Sequence, residues 1–275
     1  MPPAARARRR RGGSDLLSRV AVAVPAAILA VVVVDVGGLA WTLLMIVLGC
    51  VCLTELWRLL DRWKPVPIVG YAALAAMCLG AQYGGEHDVI AFALAAVPLL
   101  FAAVVLRGQR AGATVAIAGT LLGIYWIGFA VACAVLLRGL PHGKGVLIDV
   151  MLGTFIADTG AYAGGRLFGR RPLAIDISPH KTVEGLFCGM VAAIVTVVLA
   201  SLYQPWMTHG NALILGTAIA VLGPIGDLFE SLVKRDAGAK DAGSLFGPHG
   251  GALDRLDAVI FTVVAAYFIW LYLLS

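Results

Sequence analysis

Runs of about twenty apolar residues recur from one end of this chain to the other, and they leave few folds open. Nine can be drawn, at about 20–36, 38–57, 67–84, 89–106, 114–137, 145–165, 185–205, 211–232 and 256–274. Each is close to the roughly 20 residues that a helix needs to cross the hydrocarbon core of a bilayer. With 60% hydrophobic and 13% charged residues, the composition lies far outside that of a soluble domain. The runs lack the short alternating pattern of a barrel strand, so the expected fold class is all-α: a polytopic membrane protein with about nine transmembrane helices. Cys50, Cys52, Cys78, Cys133 and Cys188 all fall within apolar runs, as small buried hydrophobes do, and Cys50-x-Cys52 lacks the spacing of a zinc site.

The charges between the runs orient them. Residues 1–19 carry Arg6, Arg8, Arg9, Arg10, Arg11 and Arg19 and read as a basic cytoplasmic arm, a topogenic retention signal ahead of a contact for anionic headgroups. With the amino terminus inside, all of the 21 lysines and arginines except Arg138 and Lys144 fall on the cytoplasmic side. Residues 20–144 then form a membrane scaffold of about five helices, and 145–275 a second region of about four, with both of its polar segments, 166–184 and 233–255, facing the cytoplasm. Glu55, Arg58, Asp61 and Arg62 are expected to pair with one another at an interface. Glu86, His87 and Asp88 are expected in a solvated external turn.

Chemistry concentrates between Asp227 and Asp257. Asp227, Glu230, Asp236, Asp241, Asp254 and Asp257 outnumber Lys234, Arg235, Lys240 and Arg255 there, and glycines together with His249 fill the loop. Asp227, Glu230 and Lys234 share one helical face, as do Asp254 and Asp257. Gly223-Pro224-Ile225-Gly226 is expected to break or bend the helix just before Asp227. An acid excess repels a polyphosphate unless a cation intervenes, and magnesium, held by one or two carboxylates with substrate phosphates, suits such a site. A purely structural ion-pair network is the competing reading. Asp158 lies roughly 12 Å of helix inside Arg166, too deep for a charge without a task. Gly160, Gly164 and Gly165 beside it offer a face for close approach. Asp149 lies half a rotation away and should not share the site. Lys181, in ISPHKTVEG, marks a short anion-binding turn leading into a helix.

Three motifs carry a family resemblance. Ser231-Leu-Val-Lys234-Arg235, Lys240-Asp241 and Gly247-Pro-His249-Gly250-Gly251-Ala-Leu-Asp254-Arg255-Leu-Asp257, with their spacing, resemble the signature of the phosphatidate cytidylyltransferases (CDP-diacylglycerol synthases). Asp158-Thr-Gly-Ala-Tyr162 and Ser178-Pro-His-Lys181-Thr-x-Glu184-Gly185 resemble that family's upstream motifs. The resemblance covers residues 145 to 275; Ala252 and His180 are its mild departures. It implies transfer of the cytidylyl group of CTP to phosphatidic acid, with Mg²⁺ required, and no nucleic acid partner. The expected metal ligands are Asp227, Asp254 and Asp257, with Asp158 a ligand or an orienter of ligands. Lys181, Lys234, Arg235, Lys240 and Arg255 are the expected phosphate clamps, and His249 donates to a phosphate or shapes the loop. A second, monovalent cation and a homodimer stay open at this stage. So do another lipid phosphate as acceptor, isoprenoid or ether-linked, and a cation-coupled transporter.

Overall fold

The computed structural model describes residues 31–243, 245 and 250–274. The basic arm, most of the first expected span and His249 lie outside them. Residues 31–36 are helical, and eight long helices follow: α1 (Gly38–Leu59), α2 (Pro67–Tyr83), α3 (Glu86–Leu106), α4 (Ala113–Gly139), α5 (Gly143–Phe168), α6 (Val183–Ser201), α7 (His209–Asp236) and α8 (Leu253–Leu274). Among the described residues seven of these are long and apolar enough to cross a membrane, and α2 is a shorter apolar helix. Eight of the nine expected runs thus appear as helices, with ends shifted by a few residues. The one departure from all-α is a small antiparallel hairpin between α5 and α6, β1 (Pro172–Ala174) and β2 (Ser178–Thr182), pairing Pro172 with Thr182 and Ala174 with Ser178.

Local chemistry explains several helix ends. Pro67 opens α2, where its missing N–H costs nothing. Thr182 and Thr208 cap α6 and α7 through their hydroxyls, which accept the N–H groups of Gly185 and Asn211 at 3.2 and 3.1 Å. Glu86 and Asp88 are the first-turn acids of α3, where they complement the helix dipole, so the expected solvated turn is a helix start. Glu86 also accepts a hydrogen bond from the Tyr267 hydroxyl at 3.1 Å, which ties α3 to α8. Within α4, residues Ile124–Gly128 wind as a π-helical segment.

The two halves pack by different means. The largest fully buried side chains crowd the first half, among them Leu53, Leu56, Leu74, Met77, Ile124 and Ile127. In the second half glycines bring backbones together. A Cβ on Gly164 would lie 2.3 Å from that of Cys188, and one on Gly189 would lie 2.8 Å from the Ala157 carbonyl oxygen, so α5 and α6 touch along their small residues. The close-approach face expected at Gly160 and Gly164 is therefore used by α6. Helix α8 joins the halves, packing on α7, α5, α4 and α1. On α6 the exposed residues include Phe187, Val191, Val195 and Leu199, a stripe at four-residue intervals that suits lipid rather than water.

Helix α7 continues through Pro224 without a break, contrary to the interruption expected there. The reason lies across the α7–α8 contact. A Cβ on Gly226 would lie 2.5 Å from the Asp257 carbonyl oxygen and 2.9 Å from the Phe261 ring. These small residues serve to seat α8 against α7, and the helix tolerates its proline with one amide fewer.

Candidate active site

A cavity of about 600 Å³ opens where α5, the β-hairpin, α6 and α7 meet. Asp158 and Tyr162 reach it from α5, Ser178, His180 and Lys181 from β2, and Pro224 and Asp227 from α7. Strand geometry explains part of this set, since Ser178 and His180 are two residues apart on β2. Lys181 forms an ion pair with Asp227, and both side chains are about 30% exposed. The ammonium also lies within electrostatic reach of Asp158. The expected anion-binding turn is thus a strand that delivers Lys181, followed by the capped start of α6.

Around Lys181 the charges do not balance. Asp158, Asp227 and Asp257 all act on one another electrostatically, and Lys181 is the cation paired among them. Seven residues further along α7, a second group is nearly closed to solvent. Lys234 bridges Glu230 Oε2 at 2.5 Å and Asp254 Oδ1 at 2.7 Å, with Glu230 fully buried. Asp254 also accepts the N–H groups of Ala242 (2.9 Å) and Gly251 (2.7 Å) on Oδ2.

The antiparallel register of α7 and α8 therefore sorts the expected ligands. Asp257 stands at the level of Gly226 and Asp227, whereas Asp254 stands at the level of Lys234. The Asp254 carboxylate is held by an ammonium and two amides, at the level of Lys234 rather than of Asp227. Lys234, expected as a phosphate clamp, is committed to two carboxylates.

Of the other expected phosphate contacts, Arg235 donates to the carbonyl oxygens of Ile177 and Ala239, both at 3.2 Å, which ties α7 to the hairpin. Lys240 is exposed just beyond the end of α7, and Arg255 is exposed on the first turn of α8. Asp149 is buried away from the cavity and accepts a hydrogen bond from Gln204 Nε2 at 2.9 Å, in keeping with its expected exclusion.

The donor set on the cavity wall fits magnesium. Among the described residues, no three acids, histidines or cysteines are grouped closely enough to hold an ion by themselves. Asp158 and Asp227 line the cavity with Lys181 and Arg166, and Asp257 behind Asp227 tips the local balance to negative, which an ion completed by phosphates and water would offset.

Residues 17–273 match the cytidylyltransferase family. The chain belongs to that family. It is 34% identical over 264 residues to the phosphatidate cytidylyltransferase of Bacillus subtilis, which covers 93% of this chain and 97% of that one. Against the chloroplastic phosphatidate cytidylyltransferase 5 of Arabidopsis thaliana it is 40% identical over 162 residues, 58% of this chain and 39% of the plant protein. The phosphatidate cytidylyltransferase of Mycobacterium tuberculosis (H37Rv) is 35% identical over 157 residues, covering 56% of this chain and 47% of that one. The chain thus spans less than half the length of the plant and mycobacterial relatives and nearly all of the Bacillus protein. The resemblance carried by the second-half motifs is borne out.

One member of the charged framework escapes sequence reasoning. Glu55, on α1, does not pair with Arg58, Asp61 or Arg62; it is 4% exposed, and its carboxylate accepts the N–H groups of Ala252 and Leu253. Arg62 instead pairs with Asp236 at 2.7 Å. A glutamate within the last turns of an apolar run is the available signal, because a buried acid needs partners that its own helix does not supply.

Proposed function

We propose that this protein transfers the cytidylyl group of CTP to phosphatidate, giving CDP-diacylglycerol and pyrophosphate at the cytoplasmic face of a cell membrane. The observation that carries the reading is the cavity in which Lys181 meets Asp158 and Asp227, with Arg166 on its wall and Asp257 behind, in a chain of the cytidylyltransferase family. A phosphate oxygen of the lipid bonds to the α-phosphorus of CTP while the α–β anhydride bond breaks, and the electron pair leaves on pyrophosphate. No protein nucleophile is required, since the lipid phosphate is anionic at neutral pH. Catalysis then rests on positioning and on charges placed where the phosphates come to lie.

Asp158 and Asp227 are proposed to hold magnesium, with Asp257 supporting Asp227 from α8. When bound, the ion neutralises phosphate charge. Lys181 sits where a phosphate meets the carboxylates and exchanges one anionic partner for another as substrate enters. Lys240, Arg235, Arg255 and His249 are proposed to contact the triphosphate from the cytoplasmic side, and Lys234 and Asp254 to hold the start of α8. The cytoplasmic orientation is supported by the distribution of lysine and arginine along the chain.

The test is incorporation of labelled CTP by purified protein into lipid, with phosphatidate, an isoprenoid phosphate and an ether-lipid phosphate offered in parallel. Phosphatidate is expected to be the best acceptor, with activity lost on chelation and restored by Mg²⁺. Absence of labelled lipid with every acceptor overturns the reading.

A further inference from the structure

A carboxylate from the first half of the chain sits directly beneath the loop that carries the second half's signature. Glu55 Oε1 and Oε2 accept the N–H groups of Ala252 and Leu253 at 3.1 and 2.9 Å, across 197 and 198 residues of sequence. These amides lie at the start of α8, where a helix leaves its donors unsatisfied. The preceding amide, of Gly251, is taken by Asp254, so three consecutive donors are held by two carboxylates. Glu55 also contacts both flanks of the loop. A Cβ on Gly243 would lie 2.4 Å from its Oε1, and one on Gly251 would lie 2.3 Å from its Oε2. Only glycine can approach a carboxylate so closely from either side.

Glu55 is almost fully buried, and no lysine or arginine is paired with it among the described contacts; backbone amides and the positive end of the α8 dipole stabilise its charge. A buried acid is a costly way to cap a helix, and an ordinary cap from the helix's own sequence would serve stability alone. Its placement adds something that a local cap cannot: it couples α1 to the point where Asp254 meets Lys234 and where α8 begins its descent to Asp257. We propose that Glu55 is a positioning residue for the cytidylyl transfer, fixing Gly243 and the start of α8 so that Lys240 and Arg255 face the triphosphate. This rests on the activity proposed above.

The experiment compares the wild type with Glu55→Gln, Glu55→Ala, Gly251→Ala and the double variant Glu55→Ala/Gly251→Ala, all as full chains in detergent. Amide hydrogen exchange in the peptide containing Ala252 and Leu253 is followed alongside KM for CTP, KM for phosphatidate and kcat. Glu55→Gln keeps the shape and one acceptor but loses the charge. It is expected to fold, to exchange faster at 252–253, and to raise KM for CTP by about tenfold or more while KM for phosphatidate stays near its wild-type value. The two alanine substitutions are expected to be strongly non-additive, since each removes the same contact. If Glu55→Gln fails to fold, or lowers only the yield of folded protein with both KM values unchanged, Glu55 is structural and the proposal falls. Additive effects in the double variant overturn the contact on which it stands. Absence of activity in the wild type would sink the proposed reaction instead, while the exchange measurement would still report on the contact.

Discussion

Two charge clusters sit two helical turns apart on the α7–α8 hairpin, and they use the same residue types to opposite ends. At the level of Lys234, one ammonium faces Glu230 and Asp254, and backbone amides of Ala242 and Gly251 take up the remaining capacity of Asp254. Every partner belongs to the protein, and the cluster is shut from solvent. At the level of Asp227, one ammonium faces Asp158 and Asp227 with Asp257 close behind, in a cavity of about 600 Å³. The difference is access. Each ammonium faces two acids, and Glu230 Oε1 is buried without a hydrogen-bond partner among the described residues. The Lys181 group lines a cavity open to a ligand from outside, whereas the Lys234 group is packed within the protein. A list of charged residues cannot separate the two roles; their surroundings can.

The sharpest way to break this comparison is to neutralise one acid on the open side. Asp227→Asn is expected to reduce CTP-dependent turnover by at least about 100-fold, the scale of losing a preorganised charge at a phosphoryl centre. Because Asp227 is about 30% exposed and, among the described residues, its ion pair is with Lys181, thermal unfolding in detergent should stay close to wild type. Full turnover in this variant removes Asp227 from the mechanism.

On the closed side the order of effects reverses. Lys234→Met leaves Glu230 and Asp254 buried without their counter-charge, and stability is expected to fall by about 3 kcal/mol, read as a lowered melting temperature. If the variant melts like the wild type yet loses turnover, Lys234 is a phosphate contact after all and the two clusters are not distinct in kind.

The smallest effect is expected where a pair is exposed on both sides. Arg62 and Asp236 are 54% and 57% exposed at 2.7 Å. Arg62→Ala should cost under about 1 kcal/mol and leave kcat/KM unchanged, a reference against which the buried pairs are measured. A large loss there would show that the link from the carboxyl-terminal end of α1 to the end of α7 matters more than its solvation suggests.

Much of this protein could be read before any coordinates. Eight of the expected spans appear as helices because a run of some twenty apolar side chains has one comfortable environment and, within it, one way to satisfy its backbone. The signature residues were legible for the same local reason: carboxylates, lysines and glycines at fixed spacing mark the family whatever surrounds them. Other features were legible only in part. Gly223-Pro224-Ile225-Gly226 signalled something unusual, yet whether glycines loosen a helix or admit a neighbour depends on what lies opposite, and here α8 does. Ser178–Thr182 is too short and too polar for periodicity to mark as a strand, and it becomes one because Pro172–Ala174 lies beside it.

The sequence by itself determined the predominantly helical membrane architecture and the family, since each follows from hydropathy and spacing within a short stretch. Only the tertiary structure decided which acids keep company. The register of α7 against α8 set Asp257 rather than Asp254 beside Asp227, and it gave Asp254 to Lys234. The packing of α1 under the last loop turned Glu55 from one charge in an interfacial group into the cap of α8. A buried carboxylate is defined by the donors that surround it, and when those donors come from the far end of the chain no local pattern can foretell them.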